Sequence, residues 1–225
     1  MQKAGYNMEI TETTEEYLET IYKLQKKDGR ARTKDLVRLL KVVPGSVTNT
    51  IERLEREGYI THEPYKGVKL TEKGEKLALQ VVRRHRLSER LLTDILHIEW
   101  YKVHDAACRL EHAFTIDLVK KIEKVLGHPK MCPHGNPIPT ELGEIIEEKT
   151  EPLINLKSGE SAVIAKIAEE ENGMLTYLAT VGIKPGVRIE VLKKSPGKKV
   201  LIKLGNKSHE LSKRIASIIE VRRGK

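Results

Sequence analysis

Residues 102–114 carry a thiol, a carboxylate and two imidazoles at spacings that set them side by side. Lys102 to Phe114 holds no Gly or Pro, which predicts one uninterrupted helix. At about 100° per helical residue, Cys108, Glu111 and His112 stand at i, i+3 and i+4 on one face, with His104 one turn earlier on the same side. A thiolate, a carboxylate and an imidazole facing one way suit a borderline transition metal. Singly, each such residue is more often a core thiol or a solvated charge; the set at helical spacing is what points to an ion. His85 and Glu89 form a second pair at i, i+4, which a solvated, salt-bridging helix face explains equally well. Cys132 and His134 form a third, at i, i+2 in the loop Gly127 to Pro139, where extended backbone points both side chains to one side.

The elements that must hold these groups are legible in outline. Thr13-Thr14-Glu15-Glu16 opens a first helix with Tyr17, Leu18, Ile21, Tyr22 and Leu24 inward, ending near Asp28-Gly29, and Thr13 with Glu16 fits a capping box. A short helix from Thr33 is broken at Val42-Val43-Pro44-Gly45, and another begins at Ser46 with Val47, Ile51 and Leu54 inward. Two short helices across a tight turn are a helix-turn-helix, and Ser46, Thr48, Asn49 and Arg53 on the polar side of the second suit base edges and phosphates in a major groove. Gly58 to Thr61 as a strand, with Tyr65-Lys66-Gly67-Val68 as a turn into a second strand through Leu70, predict a hairpin, a wing whose Lys66 and Lys69 would lie near phosphate. Thr71 caps a long helix running to about Leu96, with Leu77, Val81, Leu91 and Ile95 inward, followed by the 102–114 helix and another over Ile116 to Leu126. Long apolar-faced helices after a winged head predict a dimerisation platform, since a dimer sets two recognition helices one DNA turn apart. An acidic, partly helical linker over 140–153 leads to a β-rich region. There Ser161 to Ile167, Val187 to Leu192, Val200 to Leu204 and Ile215 to Val221 read as strands, Met174 to Val181 as a helix, and Ser195-Pro196-Gly197 as a turn, a small five-stranded barrel of about 70 residues.

Composition bounds the rest. The chain has 225 residues, 39% hydrophobic and 32% charged, which fits a globular protein of two domains or one large one. Aromatics are 4%, too few for base stacking as the main recognition mode. The net charge of +9 sits almost wholly in residues 151–225, which carry +7 against +1 in each earlier third, so total charge does not by itself argue for DNA binding. Met1 to Tyr17 is polar and acidic and no apolar run approaches membrane-spanning length, which with two cysteines predicts a cytoplasmic protein with no membrane partner and no disulfide framework.

The order of these motifs resembles the diphtheria-toxin-repressor family of iron- and manganese-responsive transcriptional regulators. The resemblance rests on Thr13-Thr14-Glu15-Glu16-Tyr17-Leu18, the stretch from Arg84 to Leu92, Lys102 to His112, and Cys132-Pro133-His134-Gly135-Asn136-Pro137-Ile138-Pro139. It implies an α+β chain: an N-terminal winged helix-turn-helix (1–74), an all-helical dimerisation and metal-binding domain (75–139), a linker (140–153) and a C-terminal SH3-like small β-barrel of FeoA type (154–225). It also implies a homodimer that binds a palindromic double-stranded operator and represses metal-uptake genes when metal is plentiful. One metal site would use Glu16, Cys108, Glu111 and His112. A second would use His85, Glu89 and His104 with a barrel carboxylate, Glu170 or Glu171, as in the iron branch, or Glu89 with Cys132 and His134, as in manganese-responsive relatives. Cys108 is iron-like and the acid at Glu16 manganese-like, so Mn²⁺ and Fe²⁺ both fit, with Co²⁺, Ni²⁺ or Zn²⁺ as further ions for a thiolate. Two other readings stand beside this one: a metal-independent winged-helix regulator with a relic site, and a metallohydrolase in which the ion activates water. The chain carries no substrate-pocket motif, so no enzyme activity is expected.

Overall fold

The computed structural model describes residues 10–195 and 199–223; part of the expected Ser195-Pro196-Gly197 turn lies outside them. The chain divides into two compact units, one of Met1–Arg83 with Pro139–Glu144 and one of Arg84–Ile138 with Ile145–Lys225.

The first unit is a helix-turn-helix with a wing. Helix α1 (Glu12–Asp28) buries Tyr17, Leu18, Ile21, Tyr22 and Leu24 and stops at Gly29, whose φ of +77° suits glycine. Its cap is Thr11, whose hydroxyl accepts the Thr14 N–H at 3.3 Å. The expected Thr13–Glu16 capping box is therefore corrected, because the helix starts before Thr13 and Glu16 lies inside it, exposed. Helix α2 (Thr33–Leu40) ends at Lys41 in the left-handed region. Helix α3 (Pro44–Arg56) starts two residues before the expected Ser46, because proline suits the first helical position, where no N–H is needed. Val47, Ile51 and Leu54 are buried as predicted. Strands β1 (Ile60–Glu63) and β2 (Gly67–Leu70) pair antiparallel with Ile60 opposite Leu70. The wing is moored by the Leu70 N–H donating to Gln25 Oε1 at 2.9 Å and by the Ala31–Val68 bridge. Thr71 caps α4 (Glu72–Arg90) by accepting the Gly74 N–H.

The second unit holds the C-terminal part of α4 and the other helices. α4 passes into a π-helical turn, Leu91–Ile95, in place of the straight run to Leu96, and Ile95 is exposed where an inward position was expected. The expected 102–114 helix is shorter: α5 covers His104–Leu110 and tightens into a 3₁₀ turn over Glu111–Ala113. α6 (Ile116–Val125) is capped by Thr115. Leu87, Val119, Ile122 and Ile138 form one small core, and Leu92, Val103 and Ala107 another.

The acidic segment, expected to be partly helical over 140–153, has no helix before Leu153, which opens a 3₁₀ turn (Leu153–Asn155) directly after the extended Glu151–Pro152. Strands β3 (Glu151–Pro152), β4 (Ser161–Ile167), β5 (Arg188–Ser195), β6 (Lys199–Leu204), β7 (Lys207–Ser212) and β8 (Ile219–Arg222) form a six-stranded sheet in the order β3-β8-β4-β5-β6-β7. The expected strand over Ile215 to Val221 is two elements, helix α8 (Lys213–Ile218), capped by Ser212, and β8. Helix α7 (Asn172–Val181) ends where predicted and starts two residues before the expected Met174. The core of this sheet includes Ile164, Ile167, Leu175, Leu178, Ile189, Ile202 and Val221, with Trp100 and Tyr101 packed against it.

Candidate metal centre

Four segments of the second unit converge on one buried carboxylate. Glu89, on α4, is fully buried, and its Oε1 lies 3.0 Å from His85 Nε2, 3.0 Å from His134 Nδ1 and 3.6 Å from His104 Nδ1. Its Oε2 is buried with no hydrogen-bond partner, an arrangement that costs free energy unless another group or an ion takes up the charge. Glu170, from the loop between β4 and α7, faces the same rings. Its Oε2 lies 3.5 Å from His104 Nδ1 and 3.9 Å from His85 Nε2, and its Oε1 lies 3.7 Å from His134 Nδ1. Cys132 Sγ is 4.0 Å from His134 Nδ1.

Local sequence explains each position. The i, i+4 spacing stacks His85 and Glu89 on one face of α4. The loop bearing Cys132 and His134 is closed by the Cys132 N–H donating to Asn136 O at 2.8 Å and the Ile138 N–H to Lys130 O at 2.8 Å. It docks on β4 through the Ile167 N–H, which donates to His134 O at 2.9 Å. Gly135, at φ +85°, lies so close to β4 that a Cβ there would meet Ala165 O at 2.1 Å. Arg86 on α4 donates to Pro137 O.

Each ring is held by one nitrogen and offers the other to the carboxylates. His85 Nδ1 is 2.5 Å from Glu111 Oε2, His104 Nε2 is 3.8 Å from Cys108 Sγ, and His134 Nε2 donates to Trp100 O at 2.9 Å. Such outer partners fix tautomer and ring orientation in metal sites. Burial opposes every charge here and is outweighed at most of them. Glu89, Cys108 and Glu111 raise His85 well above its ordinary value. His104 is lifted to about 9 against burial by Cys108 and Glu89. His85, His104 and His134 hold Glu89 well below the carboxylate range despite burial. Burial raises the Cys108 thiol less than His104 and His85 lower it, leaving it at about 7. The Cys132 thiol is pushed up by burial and then by Glu89 and Glu170. A charged carboxylate with rings turned to it, beside a thiol, is a donor set that fits a divalent transition ion, whose charge replaces the protons now balancing it.

The residues expected to act together divide differently. Cys108 stands with His85 and His104, at 3.9 Å and 3.8 Å, within one ion-sized group. Glu111 and His112 contact each other at 3.4 Å. Cys108 and Glu111 both reach His85 Nδ1, at 3.9 Å and 2.5 Å, and so lie on one side of the helix. Glu16 belongs to the first unit and is exposed on α1. Of the two barrel carboxylates, Glu170 enters the cluster; Glu171 stands just before α7 at its N-cap, exposed, 3.7 Å from Arg214. Asn136 and the Trp100 carbonyl were not anticipated. Asn136 Nδ2 donates to Glu170 Oε1 at 2.6 Å, and its place in the Cys-Pro-His-Gly-Asn run was the available signal.

On the head, Ser46, Thr48 and Asn49 are exposed along α3, and Lys66 is exposed at the wing, 2.8 Å from Glu63. Arg53 is half-buried, and its guanidinium binds Glu57 at 3.1 Å and Thr14 Oγ1 at 3.1 Å, tying α3 to α1.

Known proteins bear the same signature. Residues 9–68 match the N-terminal DNA binding domain of iron dependent repressors, 71–140 their metal binding and dimerisation domain, and 151–223 the FeoA domain. The chain is 34% identical over 226 residues to the iron-dependent repressor IdeR of Mycobacterium bovis, covering 95% of this chain and 98% of that one. It is 32% identical over 224 residues to the diphtheria toxin repressor of Corynebacterium glutamicum, covering 95% and 97%. The solved structure of a manganese-dependent transcriptional repressor complexed with manganese superposes with a TM-score of 0.86 at 30% identity, over 94% of this chain and 100% of that one. With a winged head, a dimerisation and metal-binding segment and a FeoA sheet matched along nearly its whole length, this chain belongs to the iron-dependent repressor family of diphtheria-toxin-repressor type.

Proposed function

We propose that the chain is a metal-activated, DNA-binding transcriptional repressor, and that the cluster around Glu89 is one of the metal sites through which it senses Mn²⁺ or Fe²⁺. The observation that carries this reading is the fully buried Glu89 carboxylate with three imidazoles turned toward it. The ion would be held by Glu89 and Glu170 with His85 and His104, or with Cys132 and His134. It would supply fixed positive charge that draws α4, α5, the Cys132 loop and the Glu170 loop together. A ligand shifts a conformational equilibrium only by the difference in its affinity for the two states, and a site assembled from four segments provides such a difference. Glu16, Cys108, Glu111 and His112 enter as a further site on the strength of the sequence resemblance.

Ser46, Thr48 and Asn49 suit base and phosphate contacts in a major groove, with Lys66 on phosphate from the wing. Exposed Ile95, Leu96, Ile116, Leu118 and Val125 on the helices of the second unit support a homodimer, and a two-fold dimer favours a palindromic operator. No described helix is long and apolar enough to cross a membrane. The test is binding to DNA selected in vitro from a random library with metal-loaded protein. At fixed salt, which alone moves such affinities steeply, chelation should weaken binding at least tenfold. Equal affinity with and without metal refutes the switch and favours a constitutive regulator.

A further inference from the structure

We propose that Glu89 and Glu170 bridge two metal ions in one pocket, the first ion taking His85 and His104 and the second taking Cys132 and His134. This rests on the metal-dependent reading above and extends it to the number of ions and their coupling. Six donor side chains surround the pocket, and they sort into two ion-sized groups of four, His85, Glu89, His104, Glu170 and Glu89, Cys132, His134, Glu170, which share both carboxylates. An ion bound at about 2.0–2.2 Å to nitrogen and oxygen sets neighbouring donors about 3.0–3.6 Å apart. Ring nitrogens and carboxylate oxygens stand 3.0 to 3.9 Å apart and Cys132 Sγ is 4.0 Å from His134 Nδ1, close to that spacing, and the donor atoms of each group all lie within 4.8 Å of one another.

The carboxylates are disposed as bridges. Glu170 gives Oε2 to His104 and His85 and Oε1 to His134, so its two oxygens already face the two sides. Asn136 Nδ2, donating to Oε1 at 2.6 Å, fixes that orientation. Glu89 has Oε1 equidistant, at 3.0 Å, from His85 Nε2 and His134 Nδ1, while Oε2 is buried without a partner and free to take one ion when Oε1 takes the other. The outer nitrogens of the rings are engaged by Glu111, Cys108 and Trp100 O, so the inner nitrogens on both sides are the ones left to bind metal. Carboxylate-bridged pairs sit about 3.5–4 Å apart, a distance at which two Mn²⁺ ions are magnetically coupled.

The test uses the full chain loaded with Mn²⁺, with ion content per chain measured after equilibrium dialysis and the state of the ions by electron paramagnetic resonance. Wild type should show an exchange-coupled pair, with hyperfine spacing half that of isolated Mn²⁺. Cys132→Ser with His134→Ala should lose one ion per chain and the coupled signal, and His85→Ala with His104→Ala should do the same from the other side. Glu170→Gln, nearly isosteric, keeps the proposal testable if the double variants fail to fold, and it should lower occupancy and abolish coupling. In crystals of the wild type, two anomalous peaks should flank Glu89. A single peak and uncoupled Mn²⁺ in wild type, with metal-dependent DNA binding intact, overturns the pair and leaves the repressor reading standing. Absence of bound Mn²⁺ and Fe²⁺ together with metal-independent DNA binding overturns both.

Discussion

Replacing Gly135 by alanine isolates what holds the Cys132–His134 loop against the sheet. At φ +85° a side chain costs about 1–2 kcal/mol in backbone strain. The new Cβ would also lie 2.1 Å from Ala165 O and 2.8 Å from Lys166 Cα, backbone atoms that cannot swing aside. The loop must lift, which forfeits the bond from the Ile167 N–H to His134 O and that from Asn136 Nδ2 to Ile167 O, at about 1 kcal/mol each. The total is about 3–4 kcal/mol. Gly127→Ala is the matched control, because Gly127 has φ +71° but nothing within 4 Å of a Cβ, so it carries strain alone, about 1–2 kcal/mol. The difference, about 2 kcal/mol, corresponds to roughly thirtyfold. Native-state hydrogen exchange at the Ile167 amide reads it locally in metal-free protein, and urea unfolding reads it globally. Metal affinity at the Cys132 side should fall with it. Equal protection of Ile167 in the two variants, or metal binding in Gly135→Ala unchanged from wild type, refutes the argument that this contact positions the ligands.

Other consequences are as direct. Arg53→Met should destabilise the head by about 1–2 kcal/mol, through loss of Glu57 and Thr14, while leaving the salt dependence of DNA binding unchanged. Lys66→Ala should reduce that salt slope by about one, and Asn49→Ala should cost about 1–3 kcal/mol at particular base pairs only. In chelated protein, Cys108 should alkylate with a midpoint near pH 7, since its thiolate forms above about 7, whereas buried Cys132 should stay unreactive well past that pH; a single shared midpoint contradicts the geometry. His104, raised to about 9 from 6.5, adds stability to the metal-free fold that is complete below about pH 6.5 and lost as pH rises through about 9, which chemical denaturation at pH 6, 8 and 10 measures.

The head was readable because its signals are local. The break at Val42-Val43-Pro44-Gly45, apolar Val47, Ile51 and Leu54 at helical spacing, and glycine at the wing each act within a few residues. The donors were readable for the same reason, as i, i+4 and i, i+2 pairs. What could not be read was the way long-range packing regroups them. The 3₁₀ turn at Glu111–Ala113 and the π turn after Arg90 depart from regular α geometry without any Gly or Pro to announce them. Glu111 meets His85, twenty-six positions away, and Cys108, which its spacing already set beside His104, also reaches His85. Strand β7, Lys-Ser-His-Glu-Leu-Ser, buries only Leu211 fully and has no apolar alternation to reveal it. The choice of Glu170 over Glu171 depends on where α7 begins, a boundary that one residue of error reverses.

Glu89→Gln addresses the central claim most directly, since it removes the charge at the middle of the cluster and keeps its shape. With saturating Mn²⁺ at fixed salt, the variant should bind the selected operator as weakly as chelated wild type, while its head, measured by unfolding, stays intact. Operator affinity equal to that of metal-loaded wild type, with the same response to chelation, would show that this cluster does not carry the switch.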